Sequence, residues 1–237
     1  MPIDRRTFLR AGSFAAAAAL LEACDSHGPR AAMKYLDFAE RANERVERGL
    51  FRHRSIDRAD GGARAAGAAF PMYYVSAHPP VWDAAARGAW TLEVAGAVER
   101  PLKLTLEQLA ALPSIAQRVD HFCVEGWTAV AEWRGVRVSE LARLAGLTPD
   151  AGYVDFQSFD DGYHESWDLD SAMHPQTLVA YAMDGRWLGV GHGAPARVHS
   201  PVKLGYKNTK YLTRIVFMPQ RNGGYWSDEG YEWYGGV

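Results

Sequence analysis

From Trp90 onward the apolar residues recur at every second position, in short runs separated by Gly, Pro and Asp. Trp90-Thr91-Leu92-Glu93-Val94-Ala95-Gly96 is one such run, and Pro101-Leu102-Lys103-Leu104 reads as its partner. Tyr153-Val154-Asp155-Phe156-Gln157-Ser158 is another. A period of two marks a strand with one buried face, because successive side chains point to opposite sides. Residues 178–181, 196–200 and 212–217 extend the set, and Asp184-Gly185 supplies a hairpin turn into Trp187-Leu188. Helical signals in this region are short. Thr105 followed by Gln108 predicts a capping box ahead of a helix over 106–112, and a second helix over 139–145 stops at Gly146. Strands punctuated by short helices predict an α+β fold, and no internal repeat interrupts the pattern.

Upstream the pattern changes. Over residues 31–50, Met33, Leu36, Phe38, Ala42, Val46 and Leu50 alternate with Glu40, Arg41, Glu44, Arg45, Glu47 and Arg48. That spacing predicts an amphipathic helix with intrahelical ion pairs. Residues 51–68, rich in Arg, Ala and Gly, read as a linker arm. The organisation expected is therefore 1–30 as an export segment, 31–68 as helix and arm, and 69–237 as one catalytic domain. In the export segment, Arg5-Arg6-Thr7-Phe8-Leu9-Arg10 precedes an Ala/Leu-rich run from Ala11 to Leu21. A charged region followed by an apolar run too short to span a bilayer resembles a twin-arginine export signal and predicts a periplasmic protein. Leu21-Glu22-Ala23-Cys24 resembles a lipobox, although Glu22 departs from the small or apolar residue usual there; lipid on Cys24 would tether the domain to a membrane surface.

Composition excludes several classes. A formal net charge of -2, from 26 basic and 28 acidic residues, rules out a polybasic nucleic-acid binder. No apolar stretch reaches the ~20 residues of a membrane-spanning helix. An aromatic share of 12% favours a built binding cleft over a repeat scaffold.

Only two cysteines are present, Cys24 and Cys123. If Cys24 lies in the signal or carries lipid, Cys123 has no partner, and a lone thiol in an exported protein is either a liability or a functional group. Cys123 sits at a strand-to-loop exit, in His121-Phe122-Cys123-Val124-Glu125-Gly126-Trp127. A thiolate is a soft donor to a transition metal. One ligand cannot hold zinc, and no CxxC or HxxxH cluster accompanies it. Further on, Lys203, Lys207 and Lys210 crowd round Gly205 with Asn208 and Thr209 between them, and Arg197 follows His192-Gly193-Ala194-Pro195-Ala196. Ammonium groups beside a glycine turn predict an anion cradle, with Arg197 as a bidentate fork for phosphate; a solvated basic hairpin is the plainer alternative. A single thiolate near a phosphate cradle makes sense if the metal arrives on an organic carrier bearing its own phosphate.

These motifs are similar, in order, to those of the sulfite oxidase family of molybdopterin-dependent oxidoreductases, and most closely to its exported, haem-free branch with the periplasmic methionine-sulfoxide reductase catalytic subunit. The resemblance runs from about Phe70 to Val237 and rests on Cys-Val-Glu-Gly-Trp at 123–127, Ala-Met-His-Pro at 172–175, His-Gly-Ala-Pro-Ala-Arg at 192–197 and Lys-Leu-Gly-Tyr-Lys-Asn-Thr-Lys at 203–210. It implies the sulfite-oxidase-type molybdopterin-binding fold, mixed β-sheets with short helices in a single catalytic domain. It implies Cys123 as the protein ligand of molybdenum and the catalytic residue. It places Tyr74, Ser158, His192, Arg197, Asn208, Thr209 and Lys210 against the pterin or its phosphate. The implied activity is two-electron oxygen-atom transfer on a small sulfur or related oxo-compound, either sulfite oxidation or sulfoxide reduction. The implied cofactor is molybdenum-molybdopterin, with no haem in this chain.

The substrate is then a small-molecule or protein-bound oxo compound. Electrons pass through a separate partner, a membrane haem protein or a soluble cytochrome, and nucleic acid plays no part. The chain departs from the branch at Pro71 and His192, where Asn is usual, and at Ser158, where Thr is usual. The sulfite-oxidising enzymes place arginines just after the ligand cysteine; here Glu125, Trp127 and Thr128 occupy that stretch. Trp127, Tyr163, His164, Tyr225 and Trp226 are candidate pocket walls, while His121 and His174 read as hydrogen-bonded structural histidines. Two other readings of the residues remain: a cysteine hydrolase with Cys123 as nucleophile and His192 or His164 as base, and a non-catalytic binding domain on the same fold.

Overall fold

The computed structural model describes residues 33–51, 56, 70–160 and 162–237. The expected export signal, Cys24 and most of the arm lie outside the described residues. The chain divides between Leu50 and Phe51 into two units.

In the first unit, Met33–Leu50 forms helix α1, as its periodicity predicts. Arg48 pairs with Glu44 one turn earlier at 2.8 Å, the i, i+4 geometry that supports a helix by a few tenths of a kcal/mol. Among the described residues, no helix is long and apolar enough to cross a membrane.

The second unit is built from two sheets. Helix α2 (Ala84–Arg87) is capped by the Asp83 carboxylate and leads into β1 (Thr91–Gly96), then β2 (Leu102–Thr105), α3 (Leu106–Ala111), β3 (Ser114–Phe122) and β4 (Thr128–Arg137). Helix α4 (Val138–Ala145), β5 (Tyr153–Ser158), β6 (His164–Asp168), α5 (Leu169–Ala172), β7 (Leu178–Met183) and β8 (Arg186–Trp187) follow. The chain closes with β9 (Arg197–His199), β10 (Leu212–Met218) and α6 (Tyr225–Asp228). One sheet has the order β2-β1-β10-β5-β6; the other runs β3-β4-β7-β8, with β9 also on β7. Pairing is antiparallel except between β1 and β10.

The capping box forms as the sequence predicts: Gln108 N–H donates to Thr105 Oγ1 and the Thr105 N–H to Gln108 Oε1, at 3.2 and 2.8 Å. Asp184 and Gly185 both adopt positive φ, 49° and 75°, the geometry of the tight hairpin turn read from that dipeptide. Leu92, Val94, Phe156, Trp167, Ile215 and Phe217 of the first sheet pack with Leu109 and Leu141 into one core. Phe70, Val119, Ala131, Trp133, Leu178 and Ala180 form a second. Each fully buried large apolar side chain contributes roughly 1.5–3 kcal/mol relative to exposure.

Strands β4 and β6 are additions to the sequence reading. The β3–β4 hairpin is continuous, from Ser114 opposite Val136 to Phe122 opposite Thr128. It presses closely on β7 at Gly135, where a Cβ atom would stand 2.2 Å from the Val179 carbonyl oxygen. The closed end of this hairpin carries Cys123.

Candidate functional site

Strand β3 ends at Phe122, so Cys123 is the first residue of a turn. Its N–H donates to the Trp127 carbonyl at 2.9 Å, and its carbonyl accepts from Gly126 at 3.0 Å. Gly126 turns the chain at φ +87°, a conformation costly for residues with a Cβ. The turn holds the Cys123 thiol at the edge of a cavity of about 350 Å³, within the range of small-molecule and cofactor sites. Cys123 Sγ lies 3.9 Å from Glu125 Oε2, and Glu125 also accepts from Trp127 Nε1 at 3.0 Å. Trp127 stacks on Tyr73, with ring centres 5.7 Å apart. Burial first, and then the Glu125 carboxylate, push the Cys123 thiol up from its ordinary pKa. That is the reverse of an activated nucleophile. His164 binds Asp155 at 2.9 Å instead, and neither His164 nor His192 lines the cavity, so the cysteine-hydrolase arrangement does not form.

Arg197 leaves β9 and points into the same cavity. Its guanidinium donates to the carbonyls of Val198, His192 and Asn208 at 3.1–3.2 Å. Lys210 lines it too, with Nζ donating to the carbonyls of Tyr73 and Gly191. Neither cation pairs with a carboxylate among the described residues. Burial draws the pKa of Arg197 down to about 10. Burial, and then the guanidinium of Arg197, take Lys210 to about 7. Arg197 is fully buried and Lys210 half-buried; Glu125 and Asp160 line the same cavity without pairing with either, and two cations outside any ion pair suit an anion. Thr209 Oγ1 and Tyr211 Oη are buried beside them with no hydrogen-bond partner among the described residues.

The cradle differs from the one predicted. Lys203 and Lys207 are fully buried and paired internally, Lys203 with Asp168 at 2.9 Å and Lys207 with Glu165 at 2.6 Å. Lysines cannot be buried unpaired without large cost, and both carboxylates come from β6, which the sequence reading missed. Of the three clustered lysines only Lys210 reaches the cavity.

The structure brings Tyr74, Ser158, Arg197, Asn208 and Lys210 together with Cys123 around the cavity. It does not bring His192 or Thr209 to the lining. His192 packs edge-on against Phe70 at 5.7 Å, while Thr209 lies wholly buried one residue behind. The Asn208 amide is committed to its own loop: Oδ1 accepts from Ser200 N–H at 2.6 Å, and Nδ2 donates to the carbonyls of Lys203 and Leu204. Ser158 Oγ accepts from Asp160 N–H at 2.9 Å, which leaves its hydroxyl proton to give. Trp127, Tyr163 and Trp226 are walls as expected, whereas His164 and Tyr225 are not. His121 lines the floor, where burial, with Arg197 and Lys210 nearby, lowers its pKa to about 3 and keeps it neutral. His174 accepts from the Gln176 N–H, in keeping with a structural role. Tyr206, Tyr211 and Tyr231 are lining residues that sequence reasoning missed; the adjacent Lys-Asn-Thr-Lys motif was the available signal for Tyr206 and Tyr211.

The donor set fits a metal-pterin cofactor: a soft sulfur at one position, two cations outside any ion pair for a phosphate, and the buried Tyr211 hydroxyl without a partner among the described residues. Comparison with known proteins agrees. Residues 78–226 match the family model described as the oxidoreductase molybdopterin binding domain. A protein of Azospira oryzae, provisionally named a protein-methionine-sulfoxide reductase subunit, is 42% identical over 167 residues, covering 70% of this chain and 62% of that protein. A protein of Bacillus subtilis named only as an oxidoreductase is 34% identical, over 62% of this chain and 74% of its own length. The protein-methionine-sulfoxide reductase catalytic subunit of Gluconobacter oxydans is 33% identical, over 62% of this chain and 52% of its own length. The chain thus spans less than two thirds of the first and third of these relatives. Among solved structures, the sulfane dehydrogenase of Paracoccus pantotrophus shares the fold with a TM-score of 0.53 at 23% identity, covering 55% of this chain and 38% of that one. The α+β expectation of mixed sheets with short helices in the sulfite-oxidase-type arrangement holds. The chain belongs to the oxidoreductase molybdopterin-binding domain family.

Proposed function

We propose that this oxidoreductase reduces a neutral sulfoxide, consuming two electrons and two protons to give the sulfide and water, and that protein-bound methionine sulfoxide is its substrate. The observation that carries this reading is the supply of cations. Among the described lining residues, Arg197 and Lys210 are the only Lys or Arg side chains. A cofactor phosphate takes both, which leaves none for an anionic substrate such as sulfite. Glu125, 3.9 Å from the Cys123 sulfur, adds a carboxylate where an anion would have to approach, and like charges brought together in a partly dry site repel. Two of the relatives carry methionine-sulfoxide reductase names, which supports the same choice.

When bound, the molybdenum-pterin group supplies the two-electron oxygen-atom chemistry. Cys123 would hold the metal through its sulfur as the thiolate. Arg197 and Lys210 hold the phosphate, with Ser158 and Tyr74 able to donate further hydrogen bonds. The aromatic walls Trp127, Tyr163, Trp226 and Tyr231 exclude water and suit the substituents of a sulfoxide, since sulfur packs favourably against aromatic rings.

Electrons reach the site from a separate protein, a membrane haem protein or soluble cytochrome; the word subunit in the relatives' names supports such an assembly. The Arg5-Arg6 motif supports twin-arginine export to the periplasm, and the stretch 21–24 supports lipid attachment at Cys24. Palmitate labelling of the wild type but not of Cys24→Ser is the expected result; equal labelling removes the anchor.

The function is tested by anaerobic assay of cofactor-loaded protein, with reduced viologen as electron donor for methionine sulfoxide and ferricyanide as acceptor for sulfite. Turnover of the sulfoxide and not of sulfite is expected. Turnover of sulfite and not of the sulfoxide overturns the reading.

A further inference from the structure

The C-terminal segment supplies two walls of the cavity, Trp226 and Tyr231. Its short helix α6 starts at Gly224 without a side-chain cap of its own. What meets that helix is Glu165, fully buried on the edge strand β6. Glu165 Oε1 accepts the Trp226 N–H at 3.0 Å. Its Oε2 accepts from Lys207 Nζ at 2.6 Å and from Ser227 Oγ at 3.3 Å. The approach is close enough that a Cβ on Gly224 would stand 2.3 Å from Oε2. Lys207 closes the triangle, donating to Ser227 Oγ at 3.4 Å.

Both ends of this ion pair touch the aromatic corner of the cavity. Trp226 packs on Tyr231 with ring centres 5.0 Å apart, and Tyr231 on Tyr206 at 5.4 Å; Tyr206 is the residue before Lys207. A buried ion pair is a weak source of stability, because desolvation of both charges offsets their attraction. Here it stands directly behind the Trp226 and Tyr231 wall.

We propose that Glu165, which holds the Trp226 N–H directly and is itself held by Lys207 and Ser227, is a positioning residue that sets where Trp226 and Tyr231 stand and so how tightly the substrate is bound. The sulfoxide reading enters only in the choice of substrate for the assay.

The test uses cofactor-loaded Glu165→Gln and Ser227→Ala, the second removing one hydroxyl with little demand on folding. Hydrogen exchange at the Trp226 amide is followed by mass spectrometry, alongside KM and kcat for methionine sulfoxide and molybdenum content. The expected result is exchange at Trp226 faster by about tenfold and KM raised by about tenfold, the scale of one hydrogen bond to a charged group, with kcat and molybdenum content close to wild type. Unchanged Trp226 exchange and unchanged KM in folded Ser227→Ala overturn the proposal, whether or not Glu165→Gln folds. Molybdenum lost in step with activity also overturns it, by placing the pair under the cofactor. If wild-type protein turns over no sulfoxide, the substrate reading fails alone, and exchange at Trp226 still decides the positioning role.

Discussion

The guanidinium of Arg197 lies over the Trp133 indole, 5.0 Å from the ring centre, and shares this buried layer with His199, whose ring stacks on the same indole at 4.1 Å. The three side chains come from two segments of one sheet, β4 and β9. The stack fixes the plane of the fork while its donors bind the carbonyls of Val198, His192 and Asn208. A planar cation held in this way presents its remaining N–H groups to the cavity in one orientation, which suits bidentate contact with phosphate.

Replacing Arg197 by Lys keeps the charge and loses both the stacking and the fork. The expected outcome is folded protein with cofactor affinity reduced by about tenfold to a hundredfold, since hydrogen bonds to charged groups are worth about 1.5–3 kcal/mol. Molybdenum and pterin content per chain, measured after dialysis, checks this. Full retention would show that Arg197 does not hold the phosphate.

Lys210 gives the site a pH dependence. With its pKa lowered to about 7 by burial and then by Arg197, the cofactor-free folded protein holds a neutral amine above that pH, while the unfolded chain stays protonated up to about 10.4. The unfolded state therefore binds more protons between these values, and this group's contribution to stability rises with pH across that window. An anion bound at Lys210 restores the proton, so anion binding above pH 7 takes up protons and weakens as pH rises. Calorimetry with sulfate as the probe, in two buffers of different ionisation enthalpy at pH 8, should show proton uptake for the wild type and none for Lys210→Met. Uptake unaffected by the substitution would assign it to another group.

Cys123→Ser separates holding the pterin from holding the metal. Arg197 and Lys210 stand on other elements, so the pterin phosphate should stay bound while turnover is lost. Pterin fluorescence after denaturation and the viologen assay check the two halves. Undiminished turnover would remove Cys123 from the metal.

Much of the scaffold was legible because it is local. Strands β1, β5, β7 and β10 show apolar residues at strand spacing, and the Thr105–Gln108 box and the Asp184-Gly185 turn are contained within a few residues. Strand β6 was not legible, because His164-Glu165-Ser166-Trp167-Asp168 buries polar groups whose partners stand elsewhere: Lys207 for Glu165, Trp233 for Ser166, Lys203 for Asp168. The same remoteness explains the lysines. Their clustering round Gly205 is visible in the sequence, but the carboxylates that neutralise Lys203 and Lys207 lie 35 and 42 residues away. The position of Cys123 at a strand exit was legible from the apolar run before it and Gly126 after it, and the cavity it lines was not. Trp226 was legible as a candidate wall, but Tyr231 was not, because its place depends on where the C-terminal segment meets β6, which no local pattern states.

The distinction between Lys203 and Lys210 is itself testable, since each predicts a different failure. Lys203 Nζ is buried against Asp168 at 2.9 Å and donates to the Tyr234 carbonyl at 2.6 Å, with the Tyr234 ring centre 3.4 Å away. Asp168 also accepts from the Ser171 N–H at the start of α5. Removing the cation in Lys203→Met leaves that carboxylate buried without its charge partner, which should cost about 3–5 kcal/mol. Adding Asp168→Asn should recover part of the loss, because the neutral amide no longer needs a counter-charge while its oxygen can still accept from Ser171. Urea unfolding of the cofactor-free variants measures both steps. Cofactor affinity of the fraction that folds should match wild type, whereas Lys210→Met should show the opposite pattern, with small stability change and weakened affinity. Normal stability with lost cofactor in Lys203→Met would return that lysine to the phosphate cradle and contradict the buried pair.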